Sequence, residues 1–208
     1  HTLEHLADPL STLRALVAKA APHATFALEV PSLELLTESL RFDQIYNDHL
    51  QYFTAGSFRA LIAAAGLRVD YFALHRHPHA MLALCTKGMG DAQRAQPLRL
   101  QAHYAAFKTW MLATGDAFML SDAQHRVAYG ASAIFPVLLY HLGIATAQLE
   151  AVFDDARPRW GETFHGFRIA QPEGIANATV LVTAPDSFAQ IARRLEGARH
   201  IVPSVPLL

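Results

Sequence analysis

Arg126-Val-Ala-Tyr-Gly-Ala-Ser-Ala-Ile-Phe-Pro-Val-Leu-Leu-Tyr-His-Leu142 reads in order as an apolar strand, a turn of small residues and a helix over 132–142. The same alternation continues downstream, with strands expected over 148–153, 179–183 and 200–202 and a helix over 186–195. Short apolar strands separated by helices predict a parallel sheet covered by helices. In such sheets ligands meet the carboxyl ends of the strands. Tyr129, Gly130 and Ala131 occupy that place, and their small turn lets a phosphate or ribose approach the backbone at a helix N-terminus. Close packing of strand on helix explains the same residues. Asp154 and Asp155 follow the next strand, where dinucleotide-binding folds carry a ribose-binding acid. A solvated strand end accounts for them equally.

Upstream of this stretch the pattern is also α/β. Leu10, Leu13, Leu16, Val17 and Ala20 share one helical face over 9–20, with Asp8 or Ser11 as its cap. The run 24–30 is a short apolar strand stopped by Pro31, expected to be buried. Thr54 opens a helix carrying Phe58, Leu61, Ile62 and Ala65 and closed by Gly66. Residues 67–74 and 80–86 read as an antiparallel strand pair around Pro78. A linker is expected over 88–97 and a long helix over 98–120. The expected organisation is therefore 1–87 as the closing part of one α/β sheet, 88–97 as linker, and 98–208 as a smaller α/β domain led by a long helix. The chain opens on His1 rather than Met, which reads as a start inside a domain.

Composition limits the function classes. The 208 residues are 52% hydrophobic and 17% charged, enough apolar material for one full core or two small ones. Seventeen Lys and Arg face eighteen Asp and Glu, a net charge of −1, which gives no electrostatic footprint for nucleic acid. A single cysteine, Cys85, excludes an internal disulfide framework. The most apolar stretch, 131–147, is interrupted by Pro136, Tyr140 and His141 and is too short to span a bilayer. A soluble, cytoplasmic protein is expected.

Three segments carry residues suited to chemistry. Tyr46, Asp48 and His49 put a phenol, a carboxylate and an imidazole within four positions. The imidazole suits proton abstraction near neutral pH, and the phenol can donate to a developing oxyanion. A capped turn with buried aromatics would look the same. Glu4 and His5 lie just before the first helix, where Glu4 also suits the helix dipole. His75, His77 and His79 recur at period two, but Pro78 interrupts them, so an edge turn is expected rather than a metal site.

Taken together these pieces resemble the SAM-dependent sugar C-methyltransferases, which act on nucleotide-linked keto-deoxysugars. Residues 42–53 are similar to the family's block Phe-Asp-x-Ile-Tyr-x-Glu-His-x-x-x-Phe. Residues 1–10 look like the stretch after the fourth strand of the class I methyltransferase fold, and 127–133 and 152–158 like two landmarks of the family's C-terminal α/β domain. The resemblance implies S-adenosyl-L-methionine as cofactor and a Rossmann-like sheet followed by a second Rossmann-like domain. It implies His49 as general base, with Tyr46 and Asp48 orienting it or stabilising an enolate, and His5 close by. It further implies His1 and Glu4 beside the cofactor, with His79, Tyr129, Gly130, Ala131 and Asp154 toward a small-molecule substrate, a nucleotide sugar. No metal, nucleic acid or membrane enters. Asp48 stands where the family has glutamate, and Ala80-Met81 where it has Gly-Gly. The glycine-rich cofactor loop, the ribose-binding acid and the family's cysteine-rich zinc module are not in this sequence. Two other readings remain: a degenerate relative that binds a nucleotide or a partner, and a methyltransferase acting on oxygen or nitrogen of another metabolite.

Overall fold

A computed structural model describes residues 1–75, 79–91, 97–173, 175–195 and 197–207. The Pro78 break and most of the expected linker, 92–96, lie outside the described residues. The chain is α/β and divides into two compact units, one of His1–Ser39 with Ile45–Gln101 and one of Leu40–Gln44 with Ala102–Leu208. No described helix is long and apolar enough to cross a membrane.

The first unit holds helices α1 (Pro9–Lys19), α2 (Leu33–Glu38) and α3 (Ala55–Ala64) and strands β1 (Thr25–Pro31), β2 (Leu67–His75) and β3 (Ala80–Lys87). Its sheet order is β1-β3-β2, with β3 antiparallel to both neighbours, so β1 and β2 run the same way on either side of a reversed strand. This is the kind of mixed sheet that many doubly wound folds adopt toward one edge. Local signals set the helix starts: Asp8 accepts from the Ser11 N–H at 3.0 Å, and Thr54 and Ser57 form a reciprocal capping box. The core gathers Leu13 of α1, Phe58 and Ile62 of α3 and Met81, Ala83 and Cys85 of β3. Two expectations fail here. Leu16 is 51% exposed, because only Leu13 of its stripe points fully inward, and β1 buries only Val30 completely because it is an edge strand among the described residues. The short helix α2, capped by Ser32, is not anticipated by the sequence pattern. Cys85 is buried and its thiol is pushed up to about 11 by desolvation, so it remains a protonated core group.

The second unit holds α4 (Gln101–Met119), α5 (Phe135–Leu142) and α6 (Phe188–Ala192). Its strands are β4 (His125–Tyr129), β5 (Ala151–Phe153), β6 (Thr163–Phe164), β7 (Phe167–Ala170), β8 (Ala178–Val182) and β9 (His200–Pro203). The sheet order is β6-β7-β5-β4-β8-β9, parallel except for the edge strand β6. The chain order of the parallel strands runs outward in one direction from β4 through β5 to β7, then restarts at β8 on the other side. That reversal between β4 and β8 is a topological switch point, where doubly wound folds bind ligands. Strand β8, flanked on both sides, buries all five residues, whereas three of the four in the outer strand β9 are half-buried.

The expected elements shift at their ends. Helix α5 starts at Phe135 rather than at 132, because the Ser132 hydroxyl donates to the Thr183 carbonyl at 2.6 Å and holds the preceding turn out of the helix. The β6–β7 hairpin is missing from the sequence reading. His165 and Gly166 turn it with φ of 47° and 89°, both in the region that a two-residue hairpin turn of the mirror-image type requires. Leu40–Gln44 is tied to the rest of this unit by the buried Arg41, which reaches the exposed Asp186. Arg41 donates to Asp43 through Nε and Nη2 at 2.9 and 3.0 Å, and through Nη1 to Asp186 at 2.8 Å.

Candidate active site

The first cluster is built on backbone contacts. A single 3-10 turn, Leu3–His5, precedes α1, and the Glu4 carbonyl accepts the N–H groups of Leu50 and Gln51 at 2.8 and 3.0 Å. Those two bonds draw the Tyr46–Phe53 segment onto the turn. The segment closes on itself through the His49 N–H and the Tyr46 carbonyl at 3.1 Å, which brings residues three apart side by side. As a result the Tyr46 hydroxyl lies 3.2 Å from His49 Nε2, and the ring of His5 meets that of His49 edge-on with centroids 4.9 Å apart.

Each ring is oriented differently. His5 Nδ1 lies 2.7 Å from the Asp48 carbonyl, so Nδ1 carries the proton and the neutral ring keeps its lone pair on Nε2. Asp48 acts on the cluster through its main-chain carbonyl, and its side chain is exposed. Burial pushes the Tyr46 phenol up from its ordinary value, and the negative charges of Asp48 and Glu4 push it the same way. Tyr46 thus stays a hydrogen-bond donor across the neutral range. Tyr52, which sequence reasoning leaves out, backs the group: its hydroxyl donates to the Tyr46 carbonyl at 3.4 Å. Its place six residues after Tyr46 gives no periodic signal.

His1 and Glu4 differ sharply in access. Glu4 is 1% exposed, with Oε1 3.0 Å from His1 Nδ1, while the other side of the His1 ring faces Glu29 at 3.0 Å. Glu4 is thus buried beneath His1, which is itself partly exposed. These two residues lie side by side at the start of the chain, one exposed and one buried. His79 sits at the entry to β3 with φ 69°, and its carbonyl accepts the Ser32 N–H at 2.7 Å.

The second cluster occupies the switch point of the other unit. Tyr129, Gly130, Asp154, Asp155, Gln190 and Arg194 are among the residues around a cavity of about 420 Å³. Gly130 is required there: its φ is 109°, and a Cβ would lie 2.7 Å from that of Ala184. That closeness comes from β4 and β8 meeting, and the Thr183 hydroxyl seals it by donating to the carbonyls of Tyr129 and Gly130 at 3.1 and 2.6 Å. The polar groups of the cavity wall are largely committed. Asp154 accepts the Ala131 N–H and the Ala156 N–H, both at 2.8 Å, so the backbone donor expected to greet a phosphate is already taken. The Tyr129 hydroxyl donates to Asp155 at 2.7 Å, and Arg194 donates to the other oxygen of Asp155 at 3.0 Å. Burial, then the Asp155 bond and charge, raise the Tyr129 phenol well above its usual value. Arg194 is missed by sequence reasoning, although Ser187, Gln190, Ile191 and Arg194 follow the i, i+3, i+4, i+7 spacing of one helix face.

Comparison with known proteins bears on the N-terminal third of the chain. Residues 1–71, which include the whole Tyr46–His49 cluster, match the family described as a methyltransferase domain. The C-methyltransferase NovU of Streptomyces niveus is 38% identical over 65 residues, which are 31% of this chain and 16% of that protein. The N-terminal third of the chain therefore carries methyltransferase-domain sequence, and the chain matches well under a fifth of the length of that curated relative. Methyltransferase domains use SAM as their usual methyl donor.

Proposed function

We propose that the protein is a SAM-dependent methyltransferase in which the Tyr46–His49 cluster prepares the acceptor, a nucleotide-linked keto-deoxysugar methylated at carbon. The observation that carries this reading is the 3.2 Å approach of the Tyr46 hydroxyl to His49 Nε2 beside the ring of His5, within residues that match a methyltransferase domain. Likeness to a C-methyltransferase over 65 residues supports carbon as the site of methylation.

In this reading Tyr46, kept protonated by burial, donates to Nε2 in the resting site and preserves its lone pair. The neutral imidazole takes the proton alpha to the ketone, and the C–H electron pair becomes an enolate. The Tyr46 hydroxyl then turns its hydrogen bond to the enolate oxygen, where the new charge collects. The Asp48 carbonyl holds the His5 ring alongside, walling the site. Bound SAM would supply an electrophilic methyl group, the C–S bond electrons leaving with S-adenosylhomocysteine. The cavity at the switch point of the other unit is a separate candidate site; with Ala131 committed to Asp154, it suits ribose hydroxyls rather than a diphosphate.

General-base catalysis contributes about 10²–10⁴-fold. His49→Ala in the complete protein is expected to lose at least about 100-fold in turnover and in exchange of the acceptor's alpha proton with D2O, followed by NMR. An unchanged exchange rate would show that His49 is not the base. Exchange without methyl transfer in the wild type, or no binding of SAM at all, would favour the reading as a nucleotide- or partner-binding relative. Methylation of oxygen or nitrogen unaffected by His49→Ala would favour a different acceptor.

A further inference from the structure

Glu4 Oε2 is buried and without a hydrogen-bond partner in the structure. A buried, unpartnered carboxylate oxygen is costly and calls for an explanation, a bound ion being one. Two imidazoles stand near this carboxylate. Glu4, His5 and His49 each offer a donor atom, and the three donors lie within 4.8 Å of one another. His5 Nε2 itself is 3.9 Å from Glu4 Oε1.

We propose that Glu4, His5 and His49 bind one divalent transition-metal ion of the imidazole-preferring class, such as Zn²⁺ or Co²⁺. Two histidines and one carboxylate are a donor set for such ions, and three protein ligands leave a further position open. The surroundings resemble those of metal ligands. The Asp48 carbonyl fixes the Nδ1–H tautomer of His5 and turns Nε2 outward, and the His1 ring holds Glu4 Oε1, so both ligands have the oriented partners that metal sites use. Tetrahedral donors around such an ion sit roughly 3.4 Å apart, so the side chains need to converge by about 1.4 Å at most. The side chain of His5, 42% exposed, has room to make that movement. The pairs His125–Glu150 and His200–Asp122 also join imidazole to carboxylate, but both are exposed two-ligand contacts.

A metal held by His49 occupies the base assigned above, so this consequence rests on that reading: the ion and proton abstraction exclude each other, and the metal-bound form is inactive. The binding itself rests on geometry alone. The test is a titration of the complete, metal-stripped protein with Zn²⁺ by calorimetry and with Co²⁺ by its ligand-field absorption. The expected result is one equivalent more in the wild type than in His5→Ala, an exposed position whose loss leaves the fold intact. Glu4→Gln, checked for folding by circular dichroism, is expected to weaken binding by about 10–100-fold. Equal stoichiometry and affinity in wild type and His5→Ala overturn the metal site and leave the base role of His49 standing. Binding lost in His5→Ala, with alpha-proton exchange unaffected by saturating Zn²⁺, upholds the site and overturns the base role.

Discussion

The Tyr46–His49 cluster and the cavity at the β4–β8 switch point hold similar stocks of polar residues and use them in opposite ways. In the first, backbone carbonyls do the orienting: the Glu4 carbonyl anchors Leu50 and Gln51, and the Asp48 carbonyl fixes His5. Main-chain oxygens thus aim the side chains, and Tyr46 and His49 meet each other at 3.2 Å. In the second, the side chains satisfy one another and the backbone. Asp154 clamps Ala131 and Ala156, and Asp155 takes both Tyr129 and Arg194. Position at the carboxyl end of a parallel strand is therefore not enough to make a reactive site. What matters is whether the polar groups that arrive there keep bonding capacity for a ligand.

Tyr46→Phe is the sharpest way to test the contrast. It removes a hydroxyl 3.2 Å from His49 Nε2 and is expected to lower turnover by about 10²–10³-fold, the scale of a lost oxyanion donor. Because the phenol is half-buried, the melting temperature should change little. A fall in stability with turnover intact would make the Tyr46 bond structural, like those around Asp154, and erase the difference between the two regions.

Next in size is Gly115→Ala, a probe of how tightly the second unit is packed. Alanine is favoured over glycine inside a helix by about 1 kcal/mol. Here, however, its Cβ would fall on the backbone carbonyl oxygen of Leu142, at the end of α5, and a backbone atom cannot swing aside as a side chain can. Overpacking costs about 1–3 kcal/mol, so the clash is expected to win and chemical denaturation should show a net loss. A stabilised variant would mean that α4 and α5 separate easily. Tyr129→Phe follows, at about 1 kcal/mol of stability for the lost Asp155 bond, read in the same denaturation experiment.

The parts legible in the sequence are those set by near neighbours. Asp8 and Thr54 cap helices with residues three positions away, and β2 and β3 pair across a short break, so spacing alone finds them. The parts that escaped depend on distant contacts. Glu4 looks like a surface acid at a helix start, and only the return of Leu50 and Gln51 onto its carbonyl buries it. Asp48 looks like the natural partner of the adjacent His49, and nothing in the sequence shows that its main-chain oxygen is also used, on His5. Ala131 looks like an open phosphate donor until Asp154, 23 residues on, takes its N–H. The β6–β7 hairpin escaped for a local reason: His-Gly is a weaker turn signature than Asn-Gly or Asp-Gly, and β6 has only two residues.

The smallest effect expected is a pH dependence in the second unit. His141 is buried on α5 against Phe107, with Lys108 Nζ 3.5 Å from its Nδ1. Desolvation, reinforced by the Lys108 charge, lowers its value from the ordinary one near 6.5, while the more distant Asp43 charge opposes the shift. The imidazole is thus harder to protonate in the folded chain than in the unfolded one. Below about pH 6.5 the unfolded chain binds the extra proton first, so stability falls as pH drops through that value and levels off once the folded form also protonates. Above it the residue makes no pH-dependent contribution. His141→Gln, which keeps a polar group beside Lys108 without the titration, is expected to flatten the dependence of the denaturation midpoint between pH 5 and pH 7. An unchanged slope would assign that dependence to groups other than His141.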